Sequence, residues 1–115
     1  MVNFDKVEFT EEAEGFLDNL DEKTRNKVYY NIRKAQHIQD ENLFKKLDGA
    51  IWEFRTLYNK QKIRLFAFRY RKGNMETVVI TTHGIIKKTI TIPRKEIEKA
   101  KQIRIKYLNS INKKL

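Results

Sequence analysis

Hydrophobic and polar positions change period along this chain, and each change marks an element. Val7 and Phe9 alternate with Lys6, Glu8 and Thr10, the two-residue period of a short strand, and Thr10 is placed to cap a helix that follows. Ala13, Phe16, Leu17 and Leu20 then share one side of a helical period. Glu11, Glu12 and Glu14 crowd its first turn, where the positive end of the helix dipole favours them. Asp21 is the expected cap of a second helix, whose buried stripe is Val28, Ile32 and Ala35. Together these segments predict a helical hairpin.

Leu43, Phe44 and Leu47 predict a short helical turn closed by Gly49. Beyond it the period shortens. The segments 50–58, 63–70 and 77–82 are rich in aromatic and β-branched residues, with turns expected at Asn59-Lys60-Gln61 and Arg71-Lys72-Gly73-Asn74. Three antiparallel strands follow. After the third, Gly84 reads as a sharp turn that lets Lys87 and Lys88 fold back over the sheet edge. Pro93 opens a last helix with Ile97, Ala100, Ile103, Tyr107, Leu108 and Ile111 on its apolar side. The predicted architecture is a single α+β domain over residues 1–115, with an N-terminal helical hairpin packed on a small, mainly antiparallel β-sheet and a C-terminal helix.

A chain of 115 residues suits one hydrophobic core, and the absence of cysteine excludes disulfides and thiolate metal sites. The segment from Met1 to Lys6 lacks the charged-then-apolar layout of a secretory signal, and no apolar run approaches the ~20 residues of a membrane span. A soluble cytoplasmic protein with no membrane partner is expected.

Charge adds a direction. Residues 1–53 hold 8 Lys/Arg against 12 Asp/Glu, whereas residues 54–115 hold 17 against 3. So basic a half, with aromatic residues interleaved, predicts a surface that meets polyphosphate, with RNA or DNA as the partner class. The acidic half is either ordinary solubilising charge or a negative layer that confines nucleic acid to one side.

Strand alternation locates the chemistry. In Ile51-Trp52-Glu53-Phe54-Arg55 the two aromatics share one face and Glu53 and Arg55 the other, while Arg64 and Arg69 lie on opposite faces of the next strand. Trp52, Phe54, Phe66 and Phe68 read as core, and Glu53 as a structural ion pair. Arg55 and Arg64 on neighbouring strands bring two guanidinium forks within reach of one phosphate. Two-metal cleavage needs convergent carboxylates, and residues 54–115 offer only Glu76, Glu96 and Glu98, so no metal or cofactor is expected. A cationic cluster can instead promote attack of a ribose 2′-OH on the adjacent phosphate. The proton acceptor is His83 or Lys87, because surrounding cations disfavour the charged form of either. His83 alone would read as a satisfied turn residue; its nearness to Lys87 and Lys88 makes it a candidate. Lys62, Arg69, Arg71 and Lys88 are candidates for flanking RNA phosphates, whereas Lys113 and Lys114 read as solvated charge.

Four runs in order carry a family resemblance: Leu47-Asp48-Gly49-Ala50-Ile51-Trp52-Glu53-Phe54-Arg55, Lys62-Ile63-Arg64-Leu65, His83-Gly84-Ile85-Ile86-Lys87-Lys88, and Pro93-Arg94-Lys95-Glu96-Ile97-Glu98-Lys99-Ala100. Together they resemble the RelE/ParE toxin superfamily, in particular its phage-derived HigB-like branch. The sequence departs from that pattern at Lys62-Ile63, where an aromatic usually precedes the arginine, at Ile85 in place of phenylalanine, and at Ile92 in place of threonine. The resemblance implies a type II toxin that cleaves mRNA on the translating ribosome without metal. It also implies neutralisation by a cognate antitoxin, often of helix-turn-helix type. It carries the charged active-site groups onto Arg55, Arg64, Lys87 and Lys88. Two other functions share the same features: a ParE-like inhibitor of DNA gyrase without nuclease activity, and a non-catalytic RNA-binding module.

Overall fold

Strand alternation at the N-terminus produces β1 (Lys6–Phe9), and the two helical periods produce α1 (Glu11–Asp18) and α2 (Glu22–His37). The computed structural model describes residues 3–73 and 76–113; Met1, Val2, Asn74 and Lys114, on which parts of the sequence reading rest, lie outside them. Thr10 caps α1 as its sequence position predicts, its Oγ1 accepting from the Ala13 N–H at 3.1 Å and donating to the Thr82 carbonyl at 2.7 Å. Asp21 stands at the start of α2 but makes no side-chain cap bond. Val28, Ile32 and Ala35 are buried, as the stripe requires.

The predicted helical turn at Leu43 to Leu47 is instead a strand, β2 (Phe44–Asp48), antiparallel to β3 (Ile51–Tyr58). Phe44 stacks on Trp52 and Phe54 with ring centroids 4.8 and 4.4 Å away, and this cross-strand aromatic contact outweighs a weak local helical pattern. Gly49, at φ +57°, turns the β2–β3 hairpin in place of capping a helix. The next hairpin turns at Asn59 and Lys60, both at positive φ, the left-handed pair that matches strand twist in two-residue loops. β4 (Gln61–Lys72) and β5 (Glu76–Lys87) run longer than predicted, and α3 (Arg94–Lys113) starts one residue after Pro93.

The sheet order is β1-β5-β4-β3-β2, with β1 parallel to β5 and the other pairs antiparallel. One face carries Phe54, Ile63, Leu65, Ala67 and Val79 under α1 and α2; the other carries Ile51, Phe66, Phe68, Val78 and Ile80 under α3. The fold is thus α+β, as the pattern predicts, with a strand added. Among the described residues no helix is long and apolar enough to cross a membrane.

Gly84 does not turn the chain. It lies within β5, where an added Cβ would collide with the Phe16 ring and come within 2.8 Å of Leu65 Cδ2. Its role is to let α1 approach the sheet, and Lys87 therefore reaches its place along a continuous strand, not by a loop folding back.

Candidate nucleic-acid site

Three strands bring their side chains to one end of the α3-side face. Cross-strand pairing sets Arg55 directly opposite Arg64, and Lys62 directly opposite Lys87. A bulge decides which way the last of these points. Phe66 pairs with His83 and Ala67 with Thr81, which leaves Thr82 as an extra residue in β5. Before it, Val78 and Ile80 face α3; after it the parity reverses, and His83, Ile85 and Lys87 face that side while Ile86 packs toward the helical hairpin. Without that extra residue Lys87 would lie on the wrong side of the sheet.

Where α3 no longer covers this face, a hollow of about 310 Å³ opens, lined by Asn42, Arg55, Thr56, Leu57, Lys62, Arg64 and Lys87. Like charges directly opposite across strands are destabilising, and here two such pairs stand side by side. Glu53 offsets them in part. It is buried beneath the guanidinium groups, with Oε1 3.4 Å from Arg64 Nε and Oε2 3.7 Å from Arg55 Nε. Neither approach is a well-formed hydrogen bond, and Arg55 Nε, Arg64 Nε and Glu53 Oε1 have no hydrogen-bond partner. Arg64 Nη1 donates to its neighbour's carbonyl at Ile63, and Arg55 Nη1 donates to the Glu41 carbonyl at 3.4 Å. Among the described residues no carboxylate forms an ion pair with Lys62 or Lys87.

Burial pushes the Glu53 carboxyl above the ordinary range, although Arg64, Arg55 and Lys87 pull it down. Burial likewise lowers Arg64 against the pull of Glu53, yet a guanidinium stays charged at any physiological pH. Lys87 is lowered by partial desolvation and then by the nearby positive charges of Arg64, Lys62 and Arg55. The hollow therefore joins fixed cations to one amine that gives up its proton more readily than an ordinary lysine.

Of the residues expected from the sequence, Arg55, Arg64, Lys62 and Lys87 are brought together. His83 is not. Its ring is 1% exposed and stacks on Phe66; Nδ1 lies 3.0 Å from Thr82 Oγ1 and Nε2 3.2 Å from Glu96 Oε1 on α3. Burial holds it below the usual imidazole range. It joins α3 to the sheet and does not line the hollow. Arg69 lies on the opposite face, its guanidinium over the Trp52 ring at 4.5 Å from the centroid. Arg71 shares that side near the far end of β4, and seven residues of strand separate it from Arg64, about 23 Å. Lys88 is exposed just beyond β5, outside the lining. Asn42, Thr56 and Leu57 were not singled out from the sequence; Thr56 and Leu57 follow Arg55 directly, whereas nothing local marks Asn42.

A search of curated proteins returned no match to this chain. The model of one protein family, described as phage derived protein Gp49-like (DUF891), matches residues 15–105, a span that includes every residue lining the hollow. The match covers more than half of the chain, and the protein belongs to this phage-derived Gp49-like family, a family of RelE-like toxins.

Proposed function

We propose that this protein is the toxin of a type II toxin–antitoxin pair, of the HigB-like kind, and that it stops translation by cutting mRNA on the ribosome as a metal-independent endoribonuclease. The observation that carries the reading is the pair of like-charged cross-strand contacts, Arg55 with Arg64 and Lys62 with Lys87, around a hollow that all four cations line. A sheet that keeps such repulsion at one end has a use for it, and a phosphodiester supplies the missing negative charge.

In this mechanism Arg55 and Arg64 hold the two non-bridging oxygens of the scissile phosphate. Lys87, neutral in a fraction of molecules because its amine is partly desolvated and surrounded by cations, accepts the proton of the ribose 2′-OH. The 2′ oxygen attacks phosphorus, the P–O5′ bond breaks, and the leaving oxygen takes a proton from water at the open side of the hollow. The products are a 2′,3′-cyclic phosphate and a 5′-hydroxyl. Guanidinium groups fixed before the reaction stabilise the extra charge of the phosphorane-like transition state without reorganising. Glu53 keeps the two forks aimed. Lys62 and Lys88 hold the flanking backbone.

The reaction takes place in the cytoplasm, where ribosomes present the message, and a cognate antitoxin, in this reading a helix-turn-helix protein, restrains it. Induction of the protein in cells tests the class of target. Protein synthesis is expected to fail before DNA supercoiling, and to continue in cells making Arg64→Ala; early loss of supercoiling would place the protein with the gyrase inhibitors instead.

A further inference from the structure

On the far side of the sheet from the catalytic hollow, α2 carries a face that its own fold leaves unused. Tyr29, Tyr30 and Ile38 are 38%, 54% and 46% exposed. Two hollows flank this face. One, of about 180 Å³, has Phe4, Val7, Phe9, Tyr29 and Ile32 for walls; the other, of about 290 Å³, lies between Tyr30 and Ile38; Arg33 borders both. From Tyr29 to Ile38 the face runs about 14 Å, roughly the length of two and a half turns of a helix laid along it. Beside it, β1 is an edge strand with no neighbour on its outer side among the described residues.

The charge of this face selects the partner. α2 carries Lys23, Arg25, Lys27, Arg33 and Lys34 against Glu22 alone, so most of the negative charge of the helical layer sits on α1. Arg33 and Lys34 form no ion pair with any described carboxylate. Nucleic acid fits poorly. The Tyr30 ring already has Lys27 Nζ over it at 4.9 Å, the Tyr29 ring stands edge-on to Phe9, and the walls between are aliphatic and aromatic core. Apolar hollows rimmed by unpaired cations match an amphipathic protein segment with Asp or Glu beside its apolar residues.

We infer that the antitoxin docks an acidic amphipathic segment along α2 and the β1 edge, and so holds the toxin by a surface separate from the catalytic hollow. The inference rests on the toxin–antitoxin reading for the existence of that partner, not on RNA cleavage. Apolar side chains of the segment enter the two hollows and its carboxylates meet Arg33 and Lys34. The catalytic cations are not needed for capture, and the bound partner blocks access to the ribosome by its bulk.

Titration of the purified toxin with the small protein encoded beside its gene tests this. The double variant Tyr30→Ala/Arg33→Glu changes only exposed side chains and is expected to weaken the complex by at least about 100-fold, with Lys34→Glu, checked for an unchanged melting profile, weakening it about tenfold. Lys62→Glu, which reverses an exposed charge at the rim of the catalytic hollow, is expected to bind as the unaltered protein does. Equal affinity of the double variant and the unaltered protein overturns the inference, as does loss of binding in Lys62→Glu, which would put the partner in the catalytic hollow. A double variant that keeps the partner but loses affinity for ribosomes overturns it in favour of an RNA contact. Failure of the unaltered protein to bind the neighbouring product would count instead against the toxin–antitoxin reading itself.

Discussion

The same three strands behave differently at the two ends of one sheet face. Under α3 they present Ile51, Phe66, Phe68, Val78 and Ile80; past its edge they present Arg55, Arg64, Lys62 and Lys87. Between the two lies a row of buried polar groups, Glu53 beside the guanidinium groups and His83 against Glu96. The difference teaches that cover, not strand propensity, sets the chemistry of each half: the covered end gains from burying apolar area, and the open end concentrates charge that Glu53 offsets only in part. β4 repeats the lesson within itself. Arg64 is buried among cations with a donor unspent, whereas Arg69, five residues on and on the other face, lies over Trp52 and strengthens the core.

Substitutions that break this contrast rank by how far they reach into the open end. In the proposed mechanism Arg64→Ala removes a transition-state donor, and it is expected to lower the cleavage rate in a translation extract about 10³-fold. It also strands Glu53 in a buried position, so its melting temperature should fall, and circular dichroism must accompany the assay. Lys87→Met should cost about 10²-fold. Because the proposed mechanism uses the amine only when neutral and its proton affinity is lowered, kcat/KM of the unaltered protein should rise with pH and level off before an ordinary lysine would titrate, and the methionine variant should lose that ascending limb. Glu53→Gln keeps the shape but not the charge that aims the arginines, and about a tenfold fall in kcat/KM is expected.

At the covered end the effects move from rate to stability. His83 is held below the usual imidazole range by burial, so the folded state favours its neutral form; that stability is complete above the unfolded imidazole pKa of about 6.5 and is lost as pH falls through the lower folded value. Thermal melts at falling pH should show the loss, and His83→Gln should flatten it below about pH 6.5 while leaving cleavage competent. Arg69→Ala should be smallest, losing about 0.5–1 kcal/mol from its contact with Trp52 with no change in cleavage.

Much of this arrangement is legible in the sequence because it depends on local periods. The Thr10 cap, the α2 stripe and the pairing of Arg55 with Arg64 across a short hairpin all follow from residues near one another in the chain. What escapes the eye depends on distant partners. β2 exists because Phe44 finds Trp52 and Phe54, and a helical reading of Leu43 to Leu47 has no means of anticipating that stack. The bulge at Thr82 is silent for the same reason: two threonines in a row look alike whether or not one of them is left unpaired by β4. It nonetheless aims Lys87 into the hollow and His83 under α3. The tight fit of Gly84 beneath Phe16 likewise resembles, in sequence, any glycine that permits a turn.

The most direct test is the end chemistry of mRNA cut in a translation extract, with the unaltered protein, Arg64→Ala and Arg69→Ala compared side by side. The account predicts fragments ending in 2′,3′-cyclic phosphate from the unaltered protein and Arg69→Ala, and next to none from Arg64→Ala. Cleavage by Arg64→Ala at the unaltered rate, or fragments carrying a 5′-phosphate, would contradict it.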